Sequence, residues 1–224
     1  KFYGVLPERV DFLTDVYKLP KEKCELLVLG ADDEDVEAAQ DPDAKRMIRG
    51  KHGISEADFL VMTGGKIDKW KTQTLFLMQA VKNIQYDKVK LIVFGSVEEE
   101  LKDQVKQLSD GKKVQYIGWL PAKDTYGYFA ASDLVVFPGC HSTLWEEAAA
   151  LGIPMLCRDM PGFHHVDLGG NVEFLMQDSA EEIQSKIEDL VNNPGQYEKM
   201  KEIALERGKK VFSYREIARK AIDA

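Results

Sequence analysis

Two loops carry the residues of this chain best suited to chemistry: one holds lysines, the other a histidine, hydroxyls and two glutamates. The first reads Thr63-Gly64-Gly65-Lys66-Ile67-Asp68-Lys69-Trp70-Lys71. Paired glycines let a ligand approach the main chain closely, and a helix start behind them offers unpaired amides to an anion. Lys66 and Lys71 add mobile positive charge, so the loop suits a phosphate or a diphosphate. It is not a Walker loop, because no lysine stands before Ser or Thr at the required spacing. A plain turn with solvated lysines fits the same composition, and the residues alone leave both readings open. The second loop reads Phe137-Pro138-Gly139-Cys140-His141-Ser142-Thr143-Leu144-Trp145-Glu146-Glu147. A strand ends at Pro138-Gly139 and a helix begins near Ser142 or Thr143. Either hydroxyl can cap that helix, with Glu146 placed to complete a capping box. Glu147 falls in the first turns, where a carboxylate is favoured and can reach out of the sheet edge. The plainer reading makes Glu146 a surface cap and Glu147 solvated. His141 can hydrogen-bond a ligand held on this loop, or serve as a structural cap.

Other residues promise less. His164 and His165 are adjacent on a loop and lack the spacing and companions of a zinc site, so no metal site is expected. Gly169-Gly170-Asn171 reads as a turn. Trp119 and Trp145 are expected to pack, and Lys45, Arg46 and Arg49 to form a solvated helix face. Cys24, Cys140 and Cys157 are widely spaced and odd in number, which argues against a disulfide framework and for a reducing, cytoplasmic setting.

The elements behind these loops follow from the pattern of apolar runs. Runs at 24–29, 58–63, 90–94, 114–117, 133–137 and 154–157 are apolar without alternation, and several end in glycine, which suits parallel strands covered on both faces. Helical patterns lie between them, at 70–83, 98–108 and 126–131, and a further helix over 179–192 opens on a Ser179 cap. Asn193-Pro194-Gly195 breaks the chain before helical segments at 196–210 and 213–222. Strand and helix alternating in this way predict a Rossmann-like, doubly wound parallel α/β sheet. Ligands of such sheets bind beyond the carboxyl ends of the strands, where both loops fall. The chain has 224 residues, 44% hydrophobic and 30% charged, enough for one large domain. A formal charge of −8 argues against a partner held by bulk positive charge, so no nucleic acid is expected. No apolar run is long enough to span a bilayer, and the start shows no signal peptide. It also lacks an initiator Met, as a fragment of a longer protein would.

In order along the chain, several segments resemble the family 4 glycosyltransferases of the GT-B fold. Glu147-Ala148-Ala149-Ala150-Leu151-Gly152-Ile153-Pro154 is similar to that family's E-A-x-A-x-G-x-P signature, and Gly65-Lys66-Ile67 followed by Lys71 to its G-R-L-x-x-x-K element. Leu91-Ile92-Val93-Phe94-Gly95, the stretch from Val114 to Leu120, Asp133-Leu134-Val135-Val136-Phe137-Pro138 and the tail from Val211 to Ala218 match further family segments. The resemblance implies the C-terminal, nucleotide-sugar-binding half of such an enzyme. It assigns Lys66 and Lys71 to the donor diphosphate and its leaving group, with Gly65 beside them. Amides at Ser142, Thr143 and Leu144 would hold the phosphates, Glu147 the ribose hydroxyls, and Gly118 to Leu120 would lie beside the base. The donor implied is a UDP- or GDP-sugar, used with no metal and no prosthetic group.

One position departs from the family. A second glutamate usually stands eight residues before the ribose glutamate; here that position is Gly139, and Cys140 or His141 would have to take its place. The gap leaves open retention or inversion, and activity itself. Residues 1–23 are expected to be a leading arm from the inter-domain region, 24–212 the donor domain, and 213–224 a helix packing on an absent N-terminal half. That half would hold the acceptor, a glycan or glycolipid of cell-surface polysaccharide synthesis, which would bring the full protein to the inner face of the membrane. Two other readings are a sugar-nucleotide epimerase of the same fold and a donor-fold domain that binds without catalysis.

Overall fold

The computed structural model describes residues 1–223. Its centre is a six-stranded parallel sheet: β3 (Phe59–Gly64), β4 (Val89–Phe94), β5 (Val114–Tyr116), β6 (Leu134–Phe137), β7 (Met155–Arg158) and β8 (Val172–Leu175). The strands lie in the order β5-β4-β3-β6-β7-β8, so the chain winds outward from β3 to one edge and then from β6 to the other. That is the doubly wound order, and the reversal between β3 and β6 opens a crevice at their carboxyl ends. The strands carry unbroken apolar runs because each face has its own core. Leu60, Met62, Ile92, Phe94, Val135 and Phe137 point into one cluster, and Val61, Leu91, Val93, Leu134, Val136 and Leu156 into the other. On the first face pack α2 (Asp33–Ala39), α6 (Ala122–Ala130), α7 (Leu144–Ala150) and the end of α9 (Pro194–Phe212). On the second pack α4 (Gln73–Asn83), α5 (Lys102–Leu108) and α8 (Ala180–Asn192).

The fold departs from the sequence reading at several points. The run at 24–29 is not part of the main sheet: β2 (Cys24–Leu26) pairs only with β1 (Phe2–Gly4), in a separate parallel pair bridged by α1 (Pro7–Asp15). Strand β8 does not show as an apolar run because Glu173 interrupts it; Glu173 accepts from Lys186 at 2.7 Å and Gln196 at 2.6 Å. Helix α3 (Pro42–Lys51) does not present Arg49 to solvent, as expected of a solvated face. The Arg49 side chain is only 12% exposed. It donates to the carbonyls of Ala131 (2.8 Å) and Asp58 (2.6 Å) and pairs with Asp133 Oδ2 at 3.2 Å, tying α3 to the entry of β6. Trp119 stands 70% exposed rather than packed, whereas Trp145 is fully buried.

The last helix, α10 (Tyr214–Ile222), is capped by Ser213 and buries none of its residues. Its start is held by Asp33, which accepts from Ser213 Oγ at 2.6 Å and from the Arg215 amide at 3.0 Å. Among the described residues no helix is long and apolar enough to cross a membrane.

Candidate functional site

The carboxyl ends of β3, β4 and β5 are sewn together by main-chain bonds. The Gly65 amide donates to Phe94 O at 3.1 Å, Ile67 N to Ser96 O at 2.8 Å, and Gly95 N to Gly118 O at 2.8 Å. Gly95 has φ +130, and a Cβ there would lie 1.8 Å from the Gly65 carbonyl oxygen. The lysine loop therefore lies directly on Gly95, a contact that only glycine allows.

On this loop the two lysines differ. Lys66 is exposed, with Nζ 3.2 Å from both Asp68 Oδ2 and Glu98 Oε1. Hydrogen bonds to Asp68 and then Glu98 hold its pKa above the usual lysine value. Lys71 is half-buried and makes no ion pair among the described residues, so its charge is uncommitted. Two residues on, at the start of α4, Gln73 has a buried Oε1 with no partner. That oxygen lies 3.2 Å from where a Cβ on Gly139 would stand, so the loops after β3 and β6 meet here across the crevice. Nothing in the local pattern around Gln73 points to this placement.

The loop after β6 departs from the capping box expected of it. Thr143 occupies the N-cap in the helical region of backbone space, and neither it nor Ser142 caps α7 through its side chain. Glu146 is not a surface cap but fully buried. Its Oε1 accepts from His141 Nε2 at 2.9 Å and from His165 Nε2 at 2.7 Å. Burial works to raise the Glu146 pKa, but the hydrogen bonds from His141 and His165 outweigh it and hold the carboxyl below its ordinary value. His165 thus has the companions that sequence spacing denied it, supplied by the loop after β6. Ser142 and Leu144 are half-buried and Thr143 is exposed at the rim. Cys140 is exposed as well, and Cys24 and Cys157 are buried and free.

Glu147, one residue on, faces the other way, toward α6 and α2. Its Oε2 is 3.3 Å from Thr125 Oγ1, which also reaches Ala122 O at 2.6 Å. Burial pushes Glu147 up to about 7, against the Thr125 hydrogen bond, and the negative charge of Glu146 and Asp35 adds to it. Leu120, in the loop from β5 to α6, packs on the core beneath, and Gly118 takes φ +80. The expected base-side residues and the expected ribose carboxylate therefore flank one helix, α6.

The Glu147 shift fixes a pH dependence of stability. A carboxyl whose folded pKa lies above its unfolded value stabilises the fold fully below the unfolded pKa, and loses that contribution as pH rises through the folded one. Between pH 4.5 and about 7 the wild-type chain should accordingly lose stability on this account. Glu147→Gln removes the ionisation, so it should match the wild type near pH 4 and exceed it by a few kcal/mol at most near pH 8. Urea melts at the two pH values check this, and an equal offset at both would contradict it.

A recess of about 340 Å³ lies at the opposite end of the strands, lined by Lys45, Arg49, Asp133 and Tyr197 among others. It is at the amino ends of β6 and β7, away from the glycine-rich turns, and we do not place the site there.

The model of the family described as glycosyl transferases group 1 matches residues 44–207 of the chain. No curated protein sequence matches. Among solved structures, a glycosyltransferase from Rickettsia africae superposes with a TM-score of 0.79 at 17% identity, covering 100% of this chain and 62% of that one. HepE of Anabaena in complex with UDP gives 0.79 at 18%, covering 99% and 62%. WaaG, a glycosyltransferase involved in lipopolysaccharide biosynthesis, gives 0.75 at 17%, covering 98% and 61%. At such identities the likeness is one of fold. The chain spans a little over three-fifths of the length of these proteins.

Proposed function

The chain belongs to the glycosyl transferases group 1 family, and from that premise we propose that it is the donor half of a glycosyltransferase, binding a nucleoside-diphosphate sugar in the crevice between β3 and β6. The observation that carries this reading is the lysine loop laid on Gly95, with Lys71 unpaired among the described residues and Gln73, two residues on, against the Gly139 turn. In this reading the diphosphate sits on the Gly65 main chain, with Lys66, Lys71 and the Ser142, Thr143 and Leu144 amides around it. Departure of a nucleoside diphosphate builds negative charge on its oxygens, and fixed cations and amides are stronger partners for that charge than for the intact donor. These groups supply the charge without a metal ion on the diphosphate. Glu147 takes the ribose hydroxyls, and Gly118 and Leu120 border the base. His141, with Nε2 committed to Glu146, offers the sugar end only the rest of its ring.

A UDP-sugar fits the reading first, because HepE, of the same fold, is solved with UDP. The acceptor, a glycan or glycolipid, is held by a further half of the protein. The β1-α1-β2 unit and the exposed face of α10 lie against that half, as the exposure of Phe12, Val16, Tyr17 and Ile222 suits. A role in cell-surface polysaccharide synthesis at the inner face of the membrane belongs to this reading.

Calorimetric titration of the chain with UDP, GDP, UDP-glucose and GDP-mannose, with and without a chelator, tests it. We expect saturable binding of one nucleotide class, unchanged by the chelator, and no transfer by these residues alone. Absence of binding by all four ligands would remove the donor assignment. Transfer by the isolated chain would remove the division of labour between the two halves.

A further inference from the structure

His141, Glu146 and His165 stand apart from the diphosphate cradle, and their burial leaves them incompletely matched. Glu146 is 0% exposed at its side chain, His165 2% and His141 10%. Aromatic rings wall them in: Trp145 stands 5.2 Å and Phe163 5.1 Å from the His141 ring, centre to centre. Both imidazoles reach the same carboxylate oxygen, Oε1. The other, Oε2, is buried with no partner, and so is His165 Nδ1. No lysine or arginine pairs with Glu146 among the described residues. A carboxylate removed from water this completely is costly unless a cation matches it and both oxygens are satisfied.

We propose that His141, Glu146 and His165 bind a divalent transition-metal ion, best zinc, through the two Nε2 atoms and the carboxylate. Their ligand atoms already lie within 4.8 Å of one another. Two imidazoles and a carboxylate suit zinc and its first-row neighbours, whereas magnesium prefers an all-oxygen shell. A carboxylate held through both oxygens would employ Oε2, which the hydrogen-bonded arrangement leaves idle, and the ion's charge would match the buried one. The present separations of 2.9 and 2.7 Å are hydrogen-bond lengths. Tetrahedral ligands at about 2.0–2.2 Å from zinc stand about 3.3 Å apart, so the three side chains open by about half an ångström. Three protein ligands leave a fourth position for water. The ion joins the loop after β6 to the loop after β7 and stiffens that wall of the crevice. It is not an ion on the diphosphate, and its binding is independent of what the crevice holds.

The test is to strip the whole chain with a chelator, dialyse it, and titrate it with Co²⁺ and then Zn²⁺, reading the visible ligand-field spectrum and the melting temperature. One Co²⁺ per chain is expected, with the intense bands of a four- or five-coordinate ion, displaced by one equivalent of Zn²⁺ and accompanied by a higher melting temperature. His165→Gln and His141→Gln should each weaken binding by about 100-fold or more, because even partners behind a ligand cost 10–100-fold. Circular dichroism checks that each variant folds. Lys71→Ala should bind Co²⁺ as the wild type does, which separates this site from the donor reading. A wild-type chain that takes up no stoichiometric Co²⁺ overturns the proposal whatever the variants do, and so does unchanged binding by a folded His165→Gln chain.

Discussion

Gly95→Ala is expected to lower the unfolding free energy by about 3 kcal/mol or more and to abolish nucleotide binding. Two costs coincide at this position. The backbone sits at φ +130, where a residue with a Cβ is strained by about 1–3 kcal/mol. The added Cβ also falls 1.8 Å from the Gly65 carbonyl oxygen and 2.6 Å from its carbon. The obstacle is main chain, held by its own ladder bonds, and has no rotamer to escape into. Relief means lifting the lysine loop off β4, which breaks the bonds Gly65 N–Phe94 O and Ile67 N–Ser96 O, each worth about 0.5–1.5 kcal/mol net. The same movement carries Lys66 and Lys71 away from the crevice. Gly65→Ala isolates the two causes: its φ is +131, yet nothing lies within 4 Å of the added Cβ. In stability it should show the conformational cost alone, and it should weaken nucleotide binding less than Gly95→Ala does. Denaturant melts and nucleotide titrations of both variants decide the matter, and a Gly95→Ala chain with the wild-type midpoint would refute the contact on which the site is built.

The main sheet was legible because both of its faces are buried. A strand such as Phe59–Gly64 sends Leu60 and Met62 to one core and Val61 to the other, and so shows as a solid apolar run. The rule failed at its margins. Residues 24–29 have the right composition but only three of them pair, with a short partner at Phe2–Gly4 whose own run is too brief to notice. Val172–Leu175 is an edge strand whose apolar run is interrupted by Glu173, held by Lys186 of α8 and Gln196 of α9. Caps with purely local partners were readable: Ser179 accepts from the Glu182 amide three residues away. What the sequence hid were side chains whose partners are distant. Glu146 looks like a cap until His165, 19 positions on, folds against it. Arg49 looks solvated until β6 brings Asp133, 84 positions on, to its guanidinium. In both cases a polar residue of ordinary local appearance is buried by a contact that no spacing rule can see.

Lys71→Ala, in the full-length enzyme, is expected to lower kcat by about 10²–10³, the usual cost of removing one fixed donor to a developing oxyanion, about 3–4 kcal/mol. Lys66→Ala should cost less. Nζ of Lys66 is already shared between Asp68 and Glu98 at 3.2 Å each, and must leave them to serve a phosphate. Exposed ion pairs are individually weak, about 0–1 kcal/mol, so the offset is modest, but it works against Lys66 and not against Lys71. The substitution also frees two carboxylates beside the diphosphate, so Lys66→Ala should raise KM for the donor more than it lowers kcat. Lys71 has no such partners to abandon, and its loss should fall on kcat. Lys71→Arg restores charge but not the compact ammonium, and should recover part of the rate. Steady-state kinetics across donor concentrations separate the two lysines. A Lys71→Ala enzyme with unchanged kcat would leave the fold and the family in place but remove the leaving-group role, and would favour a domain that binds its ligand without catalysis.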